Sequence, residues 1–219
     1  MKFRKRSFFW NLPLILIFLF PNFLWGHEVV GEVTPLMLHA NHILTFIKKG
    51  RGGEAIRMAQ RVYEDFQEAG RDGLEEGLKT NSLRVDRAYG AQTTGAFSHS
   101  IREKDFLELK KGIEWLSFLL MVEKFDMLQK VIEQKNPSIQ TQTTIFWLGR
   151  NYFSYLLEPT MGEGDPIEEK RLDRLLDRML YSLEDKKLEQ FNQQRGEFAK
   201  SVIQFFQFPV DRVISKEVK

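Results

Sequence analysis

The sequence predicts an all-α protein, an up-and-down bundle of about seven helices after an N-terminal signal segment. Three observations carry this. From about residue 33 onward, apolar residues recur at spacings of three and four, the period of one helix face. No alternating strand pattern of useful length is read from the chain, and no turn dipeptide of the hairpin kind is expected. The connections between the periodic segments are short, which favours antiparallel neighbours.

The elements follow in order. Thr34-Pro35 reads as a cap with proline at the first helical position, and Leu36, Leu38, Ile43, Leu44 and Ile47 supply the apolar side. Gly50-Arg51-Gly52-Gly53 stops this helix. A second runs from near Glu54 to Gly70 on Ile56, Ala59, Val62, Tyr63 and Phe66. A third starts at Asp72 or Asn81 and continues through Leu83, Ala88, Tyr89, Phe97 and Ile101, although Gly90 and Gly95 each weaken it by roughly 1 kcal/mol. Asp105 with Glu108 is a capping-box pair that opens a helix reaching Ile132. Pro137 opens the aromatic segment "IFWLGRNYFSYLL", closed by Glu158-Pro159. Arg150 and Asn151 interrupt that run and make it a poor membrane span. "MGEGDP" reads as a linker, Asp165-Pro166 with Glu168 as cap, first-turn proline and capping acid, and the last helix ends before Pro209.

A basic group, Lys2, Arg4, Lys5 and Arg6, precedes an apolar run from Phe8 to Trp25 that asparagines and prolines interrupt. This is the pattern of a signal peptide over residues 1–26, cut after Gly26 or Gly31, with an uncleaved anchor as the alternative. The expected location is therefore periplasmic or otherwise extracytoplasmic, or anchored at the inner membrane. Any membrane contact is confined to that segment. The helical domain then spans 33–208, divisible into sub-bundles 33–135 and 137–208, with a tail over 209–219.

Removing the leader's four basic residues leaves 28 basic against 30 acidic side chains. No basic field remains to attract nucleic acid, which is rejected as a partner. The absence of cysteine excludes disulfides, thiolate metal sites, iron–sulfur clusters and a cysteine nucleophile. No nucleophile elbow, P-loop or dinucleotide fingerprint occurs, so the chain is read as not an enzyme.

Metal ligands are the remaining candidates. His39 and His42 stand at i and i+3, where two imidazoles face one side of a helix. His99 lies on another helix, and Glu64, Glu68 and Glu75 belong to an acid-rich corner with Asp65, Asp72 and Glu76. Two imidazoles at the i, i+3 spacing could share a soft or borderline metal, with Glu or Asp completing the shell. Cleavage after Gly26 would also make His27 the first residue, whose amine and imidazole suit copper. The competing view of the corner is local: Asp72 caps a helix and Glu75 completes the box.

Arg71-Asp72-Gly73-Leu74-Glu75 resembles the arginine–acid–Gly–x–Glu signature of the high-affinity iron permeases, but its flanks, "YEDFQEAG" and "EGLKTN", are too charged to enter a bilayer. A wider resemblance covers about residues 40–120 and rests on "AIRMAQRVYEDFQEAGRDGLEEGL" and "RVDRAYGAQTTGAFSHSI". These are similar to the soluble extracytoplasmic helical domain that precedes the membrane part in some bacterial members of that family. The resemblance implies a periplasmic module near metal uptake, with a membrane transporter or other periplasmic protein as partner. The expected function is thus an exported helical binding or accessory module handling iron or another transition metal. A metal-free structural or protein-interaction domain is the alternative.

Overall fold

A computed structural model describes residues 33–133 and 138–209, which fall in one compact unit beginning at Gly31. The signal segment, both cleavage positions, His27 and tail residues 210–219 lie outside the described residues.

Among the described residues there are nine helices: α1 (Pro35–Lys48), α2 (Gly52–Arg61), α3 (Leu78–Tyr89), α4 (Thr93–Glu103), α5 (Phe106–Ile132), α6 (Ile139–Leu156), α7 (Glu158–Gly164), α8 (Pro166–Glu184) and α9 (Leu188–Phe206). The all-α class holds, with nine helices in place of about seven. Three caps read from sequence are made. Thr34 Oγ1 accepts the Met37 amide at 3.2 Å. Asp105 and Asp165 each accept two first-turn amides at 3.0–3.1 Å. Their capping-box partners act otherwise: Glu108 accepts from Lys111 and Glu168 from Arg171, so neither reaches back to its cap.

The extra helices arise where apolar periodicity runs across a break. The long third helix is two, because Gly90 takes the left-handed conformation at φ 68° and ends α3. Asp86, one turn earlier, then caps α4 from outside it, its carboxylate accepting the amides and hydroxyls of both Thr93 and Thr94 at 2.7–3.0 Å. The "MGEGDP" linker is in part α7, a short helix that follows α6 with Pro159 in its first turn, where no amide donor is missed.

The second helix ends at Arg61, well before Gly70, and no helix starts at Asp72. Residues 67–74 instead form a loop closed by an antiparallel bridge, Phe66 N–H to Glu75 O at 3.0 Å and Glu75 N–H to Phe66 O at 2.8 Å. Contrary to the expectation of no hairpin-type dipeptide, Asp72-Gly73 is one, and Gly70 and Gly73 take positive φ, so turn chemistry overrides the capping pattern there.

The 27-residue α5 is the central element, packed against α1, α2, α3, α4 and α6. A helix surrounded in this way is apolar on nearly every side, and α5 buries Leu109, Ile113, Leu116, Phe118 through Val122, Phe125 and Leu128. Phenylalanine fills the interior: Phe97, Phe118, Phe125, Phe146, Phe153, Phe191 and Phe198 are all fully buried. Edge-to-face contact of Phe153 with Phe198 at 5.0 Å joins α6 to α9, and the α5–α6 pairing links the two proposed halves. Among the described residues no helix is long and apolar enough to cross a membrane.

Candidate functional site

Of the six residues expected to bind metal, His39 and Glu68 meet each other, and the rest do not join them in one ligand set. His39, on α1, is 12% exposed, and its Nε2 stands 2.8 Å from Glu68 Oε2, the strongest influence holding that carboxyl below its ordinary value. The same ring meets Phe66 edge-on at 5.2 Å, and His39 Nδ1 is buried without a partner. His42 is exposed, its ring centroid 6.5 Å from that of His39. Glu64 accepts from Lys79 Nζ at 2.7 Å. Glu75 lies 3.5 Å from Arg71. His99 sits exposed on α4, its Nδ1 3.4 Å from Arg102. Among the described residues no group of three or more His, Asp or Glu side chains is placed to hold a metal ion.

The corner's remaining acids build the chain reversal. Asp65 accepts the Gly77 amide at 2.9 Å and a bond from the Thr80 hydroxyl, which together hold its carboxyl below the usual range. Gly77, which flanks α3, has no side chain to cap it, and the first amides of the helix are met by main-chain carbonyls, Leu78 N–H to Val62 O at 2.9 Å and Lys79 N–H to Tyr63 O at 2.8 Å. Gly77 is glycine because a Cβ there would collide with the carbonyls of Glu64 and Tyr63. Glu76 pairs with Arg84, whose Nε donates to Glu123 on α5 at 2.8 Å. Only the His39–Glu68 pair was within the reach of the sequence argument, which placed both residues in one candidate set.

Two polar clusters that the sequence argument did not assign lie elsewhere in the bundle. Arg150, 5% exposed, donates at 2.7 Å to Asp177 and to Asp173 on α8, its guanidinium over the Trp147 ring at 5.0 Å. Beside them Glu158 is pushed up to about 7, first by burial, then by sharing a hydrogen bond with Glu169, with Ser154 pulling the other way. These groups tie α6 and α7 to α8.

The second cluster surrounds a cleft of about 160 Å³ to which four helices contribute. Asn41 and Lys48 come from α1, Lys110 from α5, Tyr155 from α6, and Thr160 and Glu163 from α7. Lys48 bonds Glu163 across the mouth. Behind the wall lies Glu114, 5% exposed, accepting from the Thr160 hydroxyl at 2.9 Å and 3.6 Å from Lys110 Nζ. Burial pushes the Glu114 carboxyl up, against the pull of Lys110 and Thr160. The available signal was an acid inside the apolar run "GIEWLSFLLMV", where a solvated face would not place one. A larger groove of about 520 Å³ is lined only by α3 residues and Glu76 just before them, so no second wall encloses a ligand.

Fold and site define a class, an all-α bundle with a polar cleft between helices, and nothing narrower. Compared with known protein families, with curated proteins and with solved structures, the chain matches none.

Proposed function

We propose that this chain is an extracytoplasmic helical binding or accessory module whose ligand site is the α1–α5–α6–α7 cleft. The observation that carries the reading is the cleft's construction: polar side chains from four helices converge on one concavity over a buried carboxyl. Binding sites in helical bundles are built in this way, between helices and with few polar groups. The extracytoplasmic part of the proposal is supported by the basic-then-apolar N-terminal sequence. The cleft is preferred to metal handling because the acidic corner's carboxylates are engaged one by one by Lys79, His39, Arg71, Arg84 and the Gly77 amide.

Thermal shift against a panel of small acids, amines, sugars and divalent metals tests this. A ligand that binds the folded state raises its stability by RT ln(1 + [L]/Kd), about 2.7 kcal/mol at a hundredfold excess over Kd. An organic ligand should stabilise the protein, and Thr160→Val and Lys110→Met should diminish the shift. Stabilisation by iron(II) or copper(II) alone, abolished by His39→Ala, would return the site to the acidic corner.

A further inference from the structure

We propose that the cleft binds a small organic carboxylate, its acid group held by the Lys110 ammonium and its short apolar body resting on Leu44, Leu156 and Pro159. The inference rests on the binding reading above and names its ligand class.

Size comes first. At about 160 Å³ the cleft is near the size of a 150 Å³ cavity that takes a benzene ring, and below the range that holds drug-sized ligands. The occupant is therefore one ring or a short chain with a single head group.

Hydrogen-bonding character sets the head group. Asn41 and Tyr155 each bring at least one N–H or O–H donor to the lining and Lys110 brings three, whereas the single Thr160 O–H is given to Glu114. Glu163 is the one carboxylate on the lining, and Lys48 already holds it. Glu114 lies behind the wall with its oxygen turned to Thr160, so it is not offered to a ligand. Lys110 is ion-paired with that carboxylate at 3.6 Å, which engages at most one of its three N–H groups and leaves the others for an occupant of the cleft. The unmet demand is for an acceptor, and an ammonium binds a charged one more strongly than a neutral one.

Charge and shape choose among anions. The two ammoniums of the site are opposed by two carboxyl groups, which leaves little excess positive charge for a dianion. The apolar wall formed by Leu44, Leu156 and Pro159 offers nothing to phosphate oxygens but covers a hydrocarbon body. A monocarboxylate with a compact apolar part satisfies both halves.

The test is titration of the purified, isotope-labelled chain with benzoate, followed by amide NMR shifts, with acetate, inorganic phosphate and benzylamine as parallel probes. Benzoate should saturate, with shifts concentrated on α1, α5 and α7 around the cleft, and bind more tightly than acetate. Lys110→Met should weaken benzoate at least tenfold, about 1.4 kcal/mol, in a protein whose ligand-free amide spectrum shows the fold retained, and Lys110→Arg should retain most of the affinity. Saturation by benzylamine or phosphate at this cleft in place of benzoate, or unchanged benzoate affinity in Lys110→Met, overturns the carboxylate assignment and leaves the binding reading standing. Failure of all four probes here, together with failure of the wider panel, overturns both.

Discussion

Asp86 and Thr94 are joined twice, the carboxylate accepting the Thr94 amide at 3.0 Å and its hydroxyl at 2.7 Å. With the same bonds to Thr93, this places a charged acceptor at the N-terminus of α4, where unsatisfied amides and the helix dipole both favour it. Burial pushes the Asp86 carboxyl up, but the combined bonds from Thr94 and Thr93 outweigh burial and hold it below its ordinary value. Asp86→Ala should cost on the order of 2 kcal/mol, read from denaturant midpoints. Because the folded value is depressed, the contribution is present above the ordinary aspartate value of 3.8 and is lost as pH falls through the folded value. The acid limb of a stability–pH curve should therefore flatten in the variant, and an unchanged limb would refute the assignment.

Gly77→Ala tests the packing of the acidic corner. The added methyl would meet main-chain carbonyls of Tyr63 and Glu64, which cannot rotate aside as a side chain can. The expected loss is about 1–3 kcal/mol. By contrast, Gly53→Ala, where the methyl meets open space on α2, should be neutral or slightly stabilising.

Arg150 should be sensitive to substitution, being buried and paired with two carboxylates. Replacing it with Met breaks the pairs to Asp173 and Asp177 on α8 while both carboxylates stay, a loss of up to about 3–5 kcal/mol. Arg150→Lys keeps the charge but cannot present a planar fork to two carboxylates, so it should fall between wild type and Met. Chemical melts of the three proteins decide the order, and equal midpoints would show that the pairing contributes nothing.

Glu158 predicts a loss of stability toward alkaline pH. Its folded value of about 7 lies above the ordinary 4.5, so the native state binds more protons than the unfolded chain between the two. Stability contributed by that proton is complete below about 4.5 and is lost as pH rises through about 7. Discounted for partial exposure, the effect is on the order of 1–2 kcal/mol. Glu158→Gln, which can still donate to Glu169, should lose less stability than wild type between pH 5 and pH 8. Parallel slopes over that range would remove the shared proton from the account.

What could be read from the chain alone was local. The Thr34, Asp105 and Asp165 caps lie within three residues of the amides they serve, and apolar spacing marks α5, α8 and α9 to within a residue or two of their ends. Periodicity misled where one apolar stripe crosses a break, as from Leu83 to Ile101, because spacing records which face is buried and not whether the backbone is continuous. The break at Gly90 was visible as a weak residue, but the carboxylate that caps the next helix was not.

The sequence by itself determined the helical class, the main caps and the supply of phenylalanine for the core. Tertiary structure decided what each charged group does, because charge partners are chosen by which helices pack and not by spacing along one of them. Glu68 meets a histidine 29 residues away, Arg150 meets two aspartates on α8, and Glu114 meets Thr160 at a separation of 46 residues. The same acids that looked like one ligand set are thereby divided among several partners, while Lys110, Thr160 and Glu163, which no motif connects, meet at the cleft.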